Sequence, residues 1–509
     1  MYLSRALTAS VVGETPARSS KWGWAAELFS FPVMCMFLLA GVIFRCAVQG
    51  IAEPDIWWHM RDARTLLLQH SLSRVDTYSF TAAGSPWINF ELLSEIPYYL
   101  GFRSMGLQGL LLVYFTVLVL IFAGVYYRCW RAGADCKDAA IATLAAICLA
   151  GVSIAPRTLL FGWLCMVCLL LVLDHFRCAG SGLWLLPPLF ALWINFHGSW
   201  VFGIVVLGIT TAGGIFEGEW GRVESRRWSS TEFRKLLLVT VASIAAVFVN
   251  PYGYKLVFYP FDLLLRPQGV MQFIEEWQPV DFSTWNGKLA VILILGLLAA
   301  VLLSKRRWRL DEVLLTAFAL WAALSHARFM FFAGLVIPPI VAPRLRFFPP
   351  YERELDKRLL NAAIMAAIVA AIVVFFPSTA QLQQKVDAVF PSRALGFMQK
   401  QHIKGRLFNQ YGWGGYIEWN APEFKTFVDG RADIFIYNGT FRDFLAATVL
   451  DNSTEILDKY KIDYVLIPPK GPLNYLLQHS PSWTPIYSDE VAVLFERRRT
   501  AVGTQLSDR

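Results

Sequence analysis

A polytopic α-helical membrane protein followed by a small outer α/β domain is the fold class this sequence predicts, on three observations. First, 56% of the 509 residues are hydrophobic and 17% charged, with a mean hydropathy of +0.46. A soluble domain of this size carries more charge. Second, apolar runs near membrane-spanning length recur. They cover 30–48, 106–127, 139–155, 158–176, 183–196, 200–217, 235–250, 288–303, 311–326, 328–344 and 359–377, which predicts about 11 transmembrane helices. Third, charge rises and strand–helix alternation begins after Pro377. The chain therefore divides into a cytoplasmic segment 1–29, a membrane domain 30–377 with a first outer loop at 49–105, and an outer domain 378–509.

Basic residues orient the spans. Arg5, Arg18 and Lys21 precede the first run, and Arg128, Arg131 and Lys137 follow the second. Arg222, Arg226, Arg227, Arg234 and Lys235 follow the sixth. Lys305, Arg306, Arg307 and Arg309 follow the eighth, and Arg344, Arg346, Arg353, Lys357 and Arg358 follow the tenth. If the spans alternate, all these clusters share one side, which the positive-inside rule makes cytoplasmic. The net charge of +8 is then a topology signal. Basic clusters scattered over separate short loops form a poor nucleic-acid surface. Residues 1–29 lack an apolar core, so no cleavable signal is expected. All eight cysteines lie between Cys35 and Cys178, which leaves the outer domain without a disulfide framework. Cys165 and Cys168 form a CxxC inside an apolar run and read as small buried hydrophobes.

Along the first outer loop, Trp57–His70 reads as an amphipathic helix on the membrane surface, with Trp57, Trp58, Met60 and Leu66–Leu68 toward lipid. Ser73–Thr81 reads as extended, with a turn at Gly84–Pro86 and a helix from Glu91 to Leu100. In the outer domain, helices are expected at 392–402, 441–450, 454–460 and 473–479. Strands are expected at 406–409, 416–419, 425–428, 463–467, 484–487 and 491–495. Gly412-Trp-Gly-Gly415 reads as a tight turn that contacts the membrane part.

The chemistry-bearing residues gather at the outer ends of the spans. Glu53-Pro-Asp-Ile-Trp-Trp-His59 follows directly on the first apolar run. Two carboxylates and a histidine thus stand where a span meets water, where charges are costly and mark function. An N-cap role would account for Asp55, but not for Glu53 and His59 as well. Arg157, His197, His326 and Arg328 stand at other outer span ends, and Glu276 adjoins Trp277 in the loop after span seven. Arg157 and Arg328 fit an anionic lipid headgroup; the alternative is interfacial anchoring. His197 and His326 read as site residues or as partners of helix ends, and Glu275 and Glu276 as sugar or acceptor contacts. Glu91 and Glu95 share a helix face at i,i+4 spacing. They read as partial ligands of a divalent cation, or as capping and solvated residues. No P-loop, GxGxxG, HExxH or GxSxG motif competes.

This arrangement resembles the GT-C superfamily of integral-membrane glycosyltransferases. The resemblance rests on span one, the acidic EPDIWWH start of a large first outer loop, and a many-span core followed by an outer domain. The segments DIWWH, VDTYSFTAAGSPWINFELL, NFHGSW, NPYG, YGWGGY and VDGRADIF also look like a bacterial subgroup of this type. The resemblance implies a sugar donor linked to a polyprenyl phosphate, with chemistry on the extracytoplasmic face of the bacterial inner membrane. It implies that Asp55 is the catalytic residue, as the one good match to the early acidic position of that loop. No WWD-type motif occurs in the outer domain, which favours transfer of a single sugar over en-bloc transfer to asparagine. The implied mechanism is inverting. Asp55 is the base on an acceptor hydroxyl, Glu53 or His59 orients it, and Arg157 and Arg328 hold the phosphate. The acceptor is a glycan, a lipid or a protein, and a divalent cation (Mg or Mn) is an open expectation. The alternatives are a non-catalytic membrane scaffold with a partner-binding outer domain and, last, a transporter of lipid-linked sugars. A transporter would place polar residues at mid-span.

Overall fold

The computed structural model describes residues 27–265 and 275–498; Arg5, Arg18, Lys21 and Arg266 lie outside them. Every apolar run is helical. In chain order the first helices are α1 (Phe31–Gln49), α2 (Ile56–Gln69), α3 (Leu92–Met105), α4 (Leu107–Arg131), α5 (Cys136–Leu149), α6 (Leu159–Ala179), α7 (Leu186–Phe196) and α8 (Trp200–Ala212). They continue with α9 (Ser230–Ala246), α10 (Tyr254–Leu265), α11 (Trp285–Leu303), α12 (Leu310–Ser325), α13 (Met330–Val341) and α14 (Arg358–Val374). Five are long and apolar enough to cross a membrane: α1, α4, α6, α11 and the stretch Ala327–Arg344 that contains α13. A 63° bend joins α14 to α15 (Thr379–Asp387), a sixth candidate if the pair is one span. The chain is therefore a multi-pass helical membrane protein. The other apolar helices are shorter. The 13 residues of α8 rise about 20 Å, less than the roughly 30 Å of a hydrocarbon core. Helix α13 is surrounded by protein from Met330 to Ile340. By contrast α11 and α14 leave Leu295, Leu298, Leu302 and Val373 exposed, as a lipid-facing surface does.

The basic loops meet at one end. Strands β1 (Gly218–Trp220) and β2 (Val223–Ser225), from the loop after α8, form a sheet with β3 (Trp308–Arg309), from the loop after α11. Arg306 donates to the Ala132 carbonyl at 2.8 Å, and the Asp138 carboxylate accepts from the Phe347 amide at 3.1 Å. Arg177 and Asp311 pair at 2.6 Å, and Arg344 and Glu312 at 2.5 Å. The loops that the positive charge pattern groups together are thus joined in space.

At the opposite end lie the first outer loop and the C-terminal segment. The latter contains α16 (Ser392–Lys400), α17 (Gly414–Asn420), α18 (Ala432–Tyr437), α19 (Thr440–Thr448), α20 (Ser453–Lys459) and α21 (Pro472–Gln478). Its sheet has the order β4-β5-β7-β6, from β4 (Leu407–Asn409), β5 (Tyr464–Ile467), β6 (Trp483–Ser488) and β7 (Val493–Arg497). β4 pairs parallel with β5, and the other pairs are antiparallel. Two expected strands differ. Residues 416–419 belong to helix α17, because Trp413, Tyr416 and Ile417 recur at helical spacing and all turn into the core. Thr426 makes only an isolated bridge, to Ser79.

The surface-helix reading of residues 57–70 also changes. The helix exists, but Trp57, Trp58 and Met60 pack against protein, not lipid. Trp57 lies edge-on to Tyr416 at 4.9 Å and to Phe390 at 5.9 Å. Trp58 packs edge-on against Trp87 at 6.0 Å, inside the core of the C-terminal sheet. Burying two indoles stabilises the fold by several kcal/mol, on the order of 1.5–3 per side chain. The C-terminal segment supplies that cover, and no helix-period pattern within residues 57–70 could distinguish it from lipid.

Candidate active site at one end of the helices

Asp55 and Glu91 occupy matching positions. Each is the N-cap residue of its helix, α2 and α3, and neither side chain makes a capping hydrogen bond. The capping alternative thus explains neither carboxylate. They lie close enough for Glu91 to feel the Asp55 charge, in a polar cluster, here called the chamber, where the membrane helices meet the C-terminal segment. The Asp55 carboxylate instead accepts from the Trp58 indole at 3.4 Å. Burial, reinforced by Glu53, pushes Asp55 up to about 7; Arg157 and the indole bond oppose this. It is thus poised near neutrality, where a general base works best.

Behind Asp55 runs a buried chain of titratable groups. Glu95 is fully buried, accepts both its Asn89 contacts at 2.9 and 3.0 Å, and meets His59 Nδ1 at 2.9 Å. His59 Nε2 approaches Glu91 at 3.5 Å, and His197 Nε2 approaches the other Glu91 oxygen at 3.3 Å. His197 Nδ1 accepts from the Ser199 amide at 3.0 Å, so its proton sits on Nε2 and points to Glu91. Burial holds both histidines below their ordinary range, and raises Glu91 to about 8 and Glu95 well above the carboxylate range. His59 Nδ1 thus shares a hydrogen bond with Glu95, and its Nε2 faces Glu91. His59 does not orient Asp55 as the sequence suggested: its ring is engaged by Glu95 and Glu91, and Trp58 takes the orienting position.

Arg157 is clamped between carboxylates. Its Nε lies 3.1 Å from Glu53, and its NH1 bonds to Glu276. Burial would favour its neutral form, but Glu53 and Glu276 outweigh burial and hold it charged. Arg328 differs. It stacks over Trp277 at 4.5 Å and makes no ion pair among the described residues. Its charge is felt at Glu91. His326 packs edge-on against Trp277 at 5.7 Å. The structure thus brings Glu53, Asp55, His59, Arg157, His197, Glu276, His326 and Arg328 to one end of the helices. The side chain of Glu275 lies outside the described residues.

The C-terminal segment roofs this chamber. Side chains on the Gly-rich turn would block it: a Cβ on Gly415 would stand 3.1 Å from the Pro54 carbonyl, and one on Gly414 would meet Asp429. A Cβ on Gly430 would run into the Asp55 carboxylate itself. Gly430→Ala is therefore expected to shift Asp55. Overpacking costs about 1–3 kcal/mol, whereas an ångström of misplacement costs roughly 100-fold in rate. Activity should fall far more than melting temperature does, and equal retention of both would remove Gly430 from the site.

Arg431 anchors the roof. Its NH2 lies 2.6 Å from both Asp76 and Asp429, its Nε 2.9 Å from Asp429, and it is buried. Phe80 donates its amide to the Thr426 carbonyl at 3.1 Å, and Thr81 its hydroxyl to the Phe427 carbonyl at 2.6 Å. Asp433, raised to about 6 by burial, accepts from the Tyr259 hydroxyl of α10. Sequence reasoning missed Glu91 as the hub, and missed Trp58, Arg431 and Asp433. VDGRADIF was visible as a segment, but its partner Asp76 is 355 positions away from Arg431.

Among the described residues, no three His, Cys, Asp or Glu side chains converge to hold a metal ion. Glu53 pairs with Arg157, and Glu91 faces His59 and His197. No protein-family model and no curated protein sequence matches the chain. Among solved structures, it is similar to the crystal structure of ArnT from Cupriavidus metallidurans bound to undecaprenyl phosphate. The TM-score is 0.47 and the identity 14%, over 96% of this chain and 100% of that one.

Proposed function

We propose that the protein is an inverting membrane glycosyltransferase with a polyprenyl-phosphate-linked sugar as donor. The observation that carries this reading is the pairing of roles at the chamber: a near-neutral carboxylate that makes no capping bond, Asp55, and a cation with no ion pair among the described residues, Arg328. The donor class is the one the sequence resemblance implies. In this mechanism the acceptor hydroxyl oxygen attacks the anomeric carbon as the bond to the phosphate oxygen breaks. Asp55 takes the hydroxyl proton, and the lipid phosphate departs with the bonding electron pair. Arg328 stabilises the negative charge that builds on the leaving phosphate. Arg157, already held by Glu53 and Glu276, fixes the chamber wall and adds positive potential. His59 and His197 hold Glu91 in place. The basic end faces the cytoplasm and the chamber faces outward in this reading, with all eleven apolar helices traversing at least part of the bilayer.

The test is turnover. Purified protein in liposomes, given polyprenyl-phosphate sugars and extracted envelope acceptors, should release polyprenyl phosphate; no release from a broad donor panel would sink the reading. Arg328→Gln removes the free cation. Charge-assisted hydrogen bonds contribute about 1.5–3 kcal/mol, so the donor KM should rise roughly 10- to 100-fold with melting temperature little changed. An unaltered KM would exclude Arg328 as the phosphate ligand.

A further inference from the structure

A second feature lies outside the chamber. A hollow of about 240 Å³ opens between α2 and the stretch 73–78, lined by Arg61, Arg64, Thr65, Leu68, Gln69, Ser73, Thr77 and Tyr78. The α2 contributors recur at i, i+3, i+4 and i+7, so they form one stripe of the helix. His59 and Asp62, of the same helix, enter the buried acidic chain instead. The lining carries two arginines and no carboxylate.

Both guanidiniums are positioned by aromatic faces. Arg61 lies 4.0 Å over the Tyr78 ring, and Arg64 lies 4.7 Å over Trp419 of α17. Stacking holds the planar fork while leaving in-plane N–H groups free for an oxyanion. Arg61 donates one N–H to the Glu418 carbonyl at 3.0 Å. Among the described residues Arg64 makes no hydrogen bond or ion pair. Lys425 adds a third cation at the rim, bonded to the Thr77 carbonyl. Asp62 and Glu418 lie close enough to Arg61 to feel its charge, but neither forms an ion pair with it. Thr65 and Ser73 donate to backbone carbonyls, and Tyr78 donates to Asp62. That leaves Arg64, the rest of Arg61, Gln69 and the Thr77 hydroxyl to meet a ligand.

We propose that this hollow is a second anion-binding site, separate from the Asp55 chamber, which takes a phosphoryl group. Two forked cations with no carboxylate between them match a tetrahedral oxyanion, which accepts several parallel N–H bonds. The phosphoryl group belongs either to a lipid headgroup or to a soluble phosphorylated glycan. The site sits beside Trp419, which packs edge-on against Phe102 of α3 at 5.5 Å, next to the exposed Leu100 and Met105 that lead into span α4. It stands apart from the function proposed above, because its readout is binding and not transfer.

The experiment uses the full-length protein in phosphatidylcholine nanodiscs, titrated calorimetrically with inorganic pyrophosphate. In a second arm, native mass spectrometry follows retention of phosphatidylglycerol from mixed nanodiscs. Binding in the first arm assigns a soluble phosphoryl ligand, and retention in the second arm alone assigns a lipid headgroup. In whichever arm binds, Arg61→Gln with Arg64→Gln should weaken it at least about tenfold, as the loss of charge-assisted bonds requires. Arg64→Gln alone leaves the Glu418 contact intact, and should still weaken it severalfold with an unchanged melting temperature. Arg442→Gln, a charge-matched change at an exposed position, should bind as wild type does. Absence of binding in both arms, or equal binding by the double variant, overturns the proposal.

Discussion

Asp55→Asn should abolish sugar transfer while the protein remains folded and in the membrane. The substitution keeps the shape and the contact with Trp58, but removes the group that accepts the proton. General bases contribute roughly 100- to 10,000-fold, so residual turnover between about a hundredth and a ten-thousandth is the expected scale. The pH profile adds a second readout. Asp55 works in its ionised form, and burial places its titration at about 7. The wild-type rate should therefore fall about tenfold per pH unit below 7 and level off above it. Glu53→Gln removes the neighbouring negative charge that helps to raise Asp55, and should move this limb toward lower pH. Full activity in Asp55→Asn would overturn the assignment and favour a scaffold role. A flat profile between pH 5 and 8 would do the same for Asp55 as base.

The second large effect concerns folding. Arg431→Gln should uncouple the C-terminal segment from the first outer loop. Arg431 is the only cation among the described residues that pairs with the buried Asp76 and Asp429. It also stacks between Tyr78 at 4.7 Å and Trp87 at 4.8 Å. Breaking a buried ion pair from one side costs about 3–5 kcal/mol, because the partners stay buried and uncompensated. The expected result is a lower melting temperature in detergent and rapid protease cleavage between 420 and 440. Arg431→Lys keeps the charge but not the two-pronged contact, and should fall between the two. If Arg431→Gln melts as wild type does, the network is not what holds the roof. A loss of transfer in this variant would follow indirectly, through Gly430 and its contact with Asp55.

Much of the candidate site was legible in the sequence, for a definite reason. A bilayer makes charge costly, so a carboxylate or arginine at an outer span end stands out against an apolar background. That contrast exposed Glu53, Asp55, Arg157, Glu276 and Arg328. Glu91 was harder to see. Its sequence neighbourhood equally suits a capping residue, and only its φ of −128° with no capping bond removes that alternative. Trp58 read as a membrane anchor because an indole suits an interface and a protein core alike. The C-terminal elements were mostly found, but residues 416–419 read as a strand because aromatic and β-branched content favours strands. Packing against Trp57 decided for a helix instead.

By itself, then, the sequence determined the helical membrane architecture, the end at which its basic loops gather, and the end at which its titratable residues cluster. Hydropathy and charge act locally and repeat along the chain, so a single sequence displays them. The tertiary structure alone decided what each polar residue faces. It placed Arg157 between two carboxylates and left Arg328 without an ion pair among the described residues. It stacked Arg64 on Trp419 and joined Arg431 to Asp76 across most of the chain. Such pairings depend on which helices and loops come together, and the free energy of a buried charge is set by its partner, not by its neighbours in sequence.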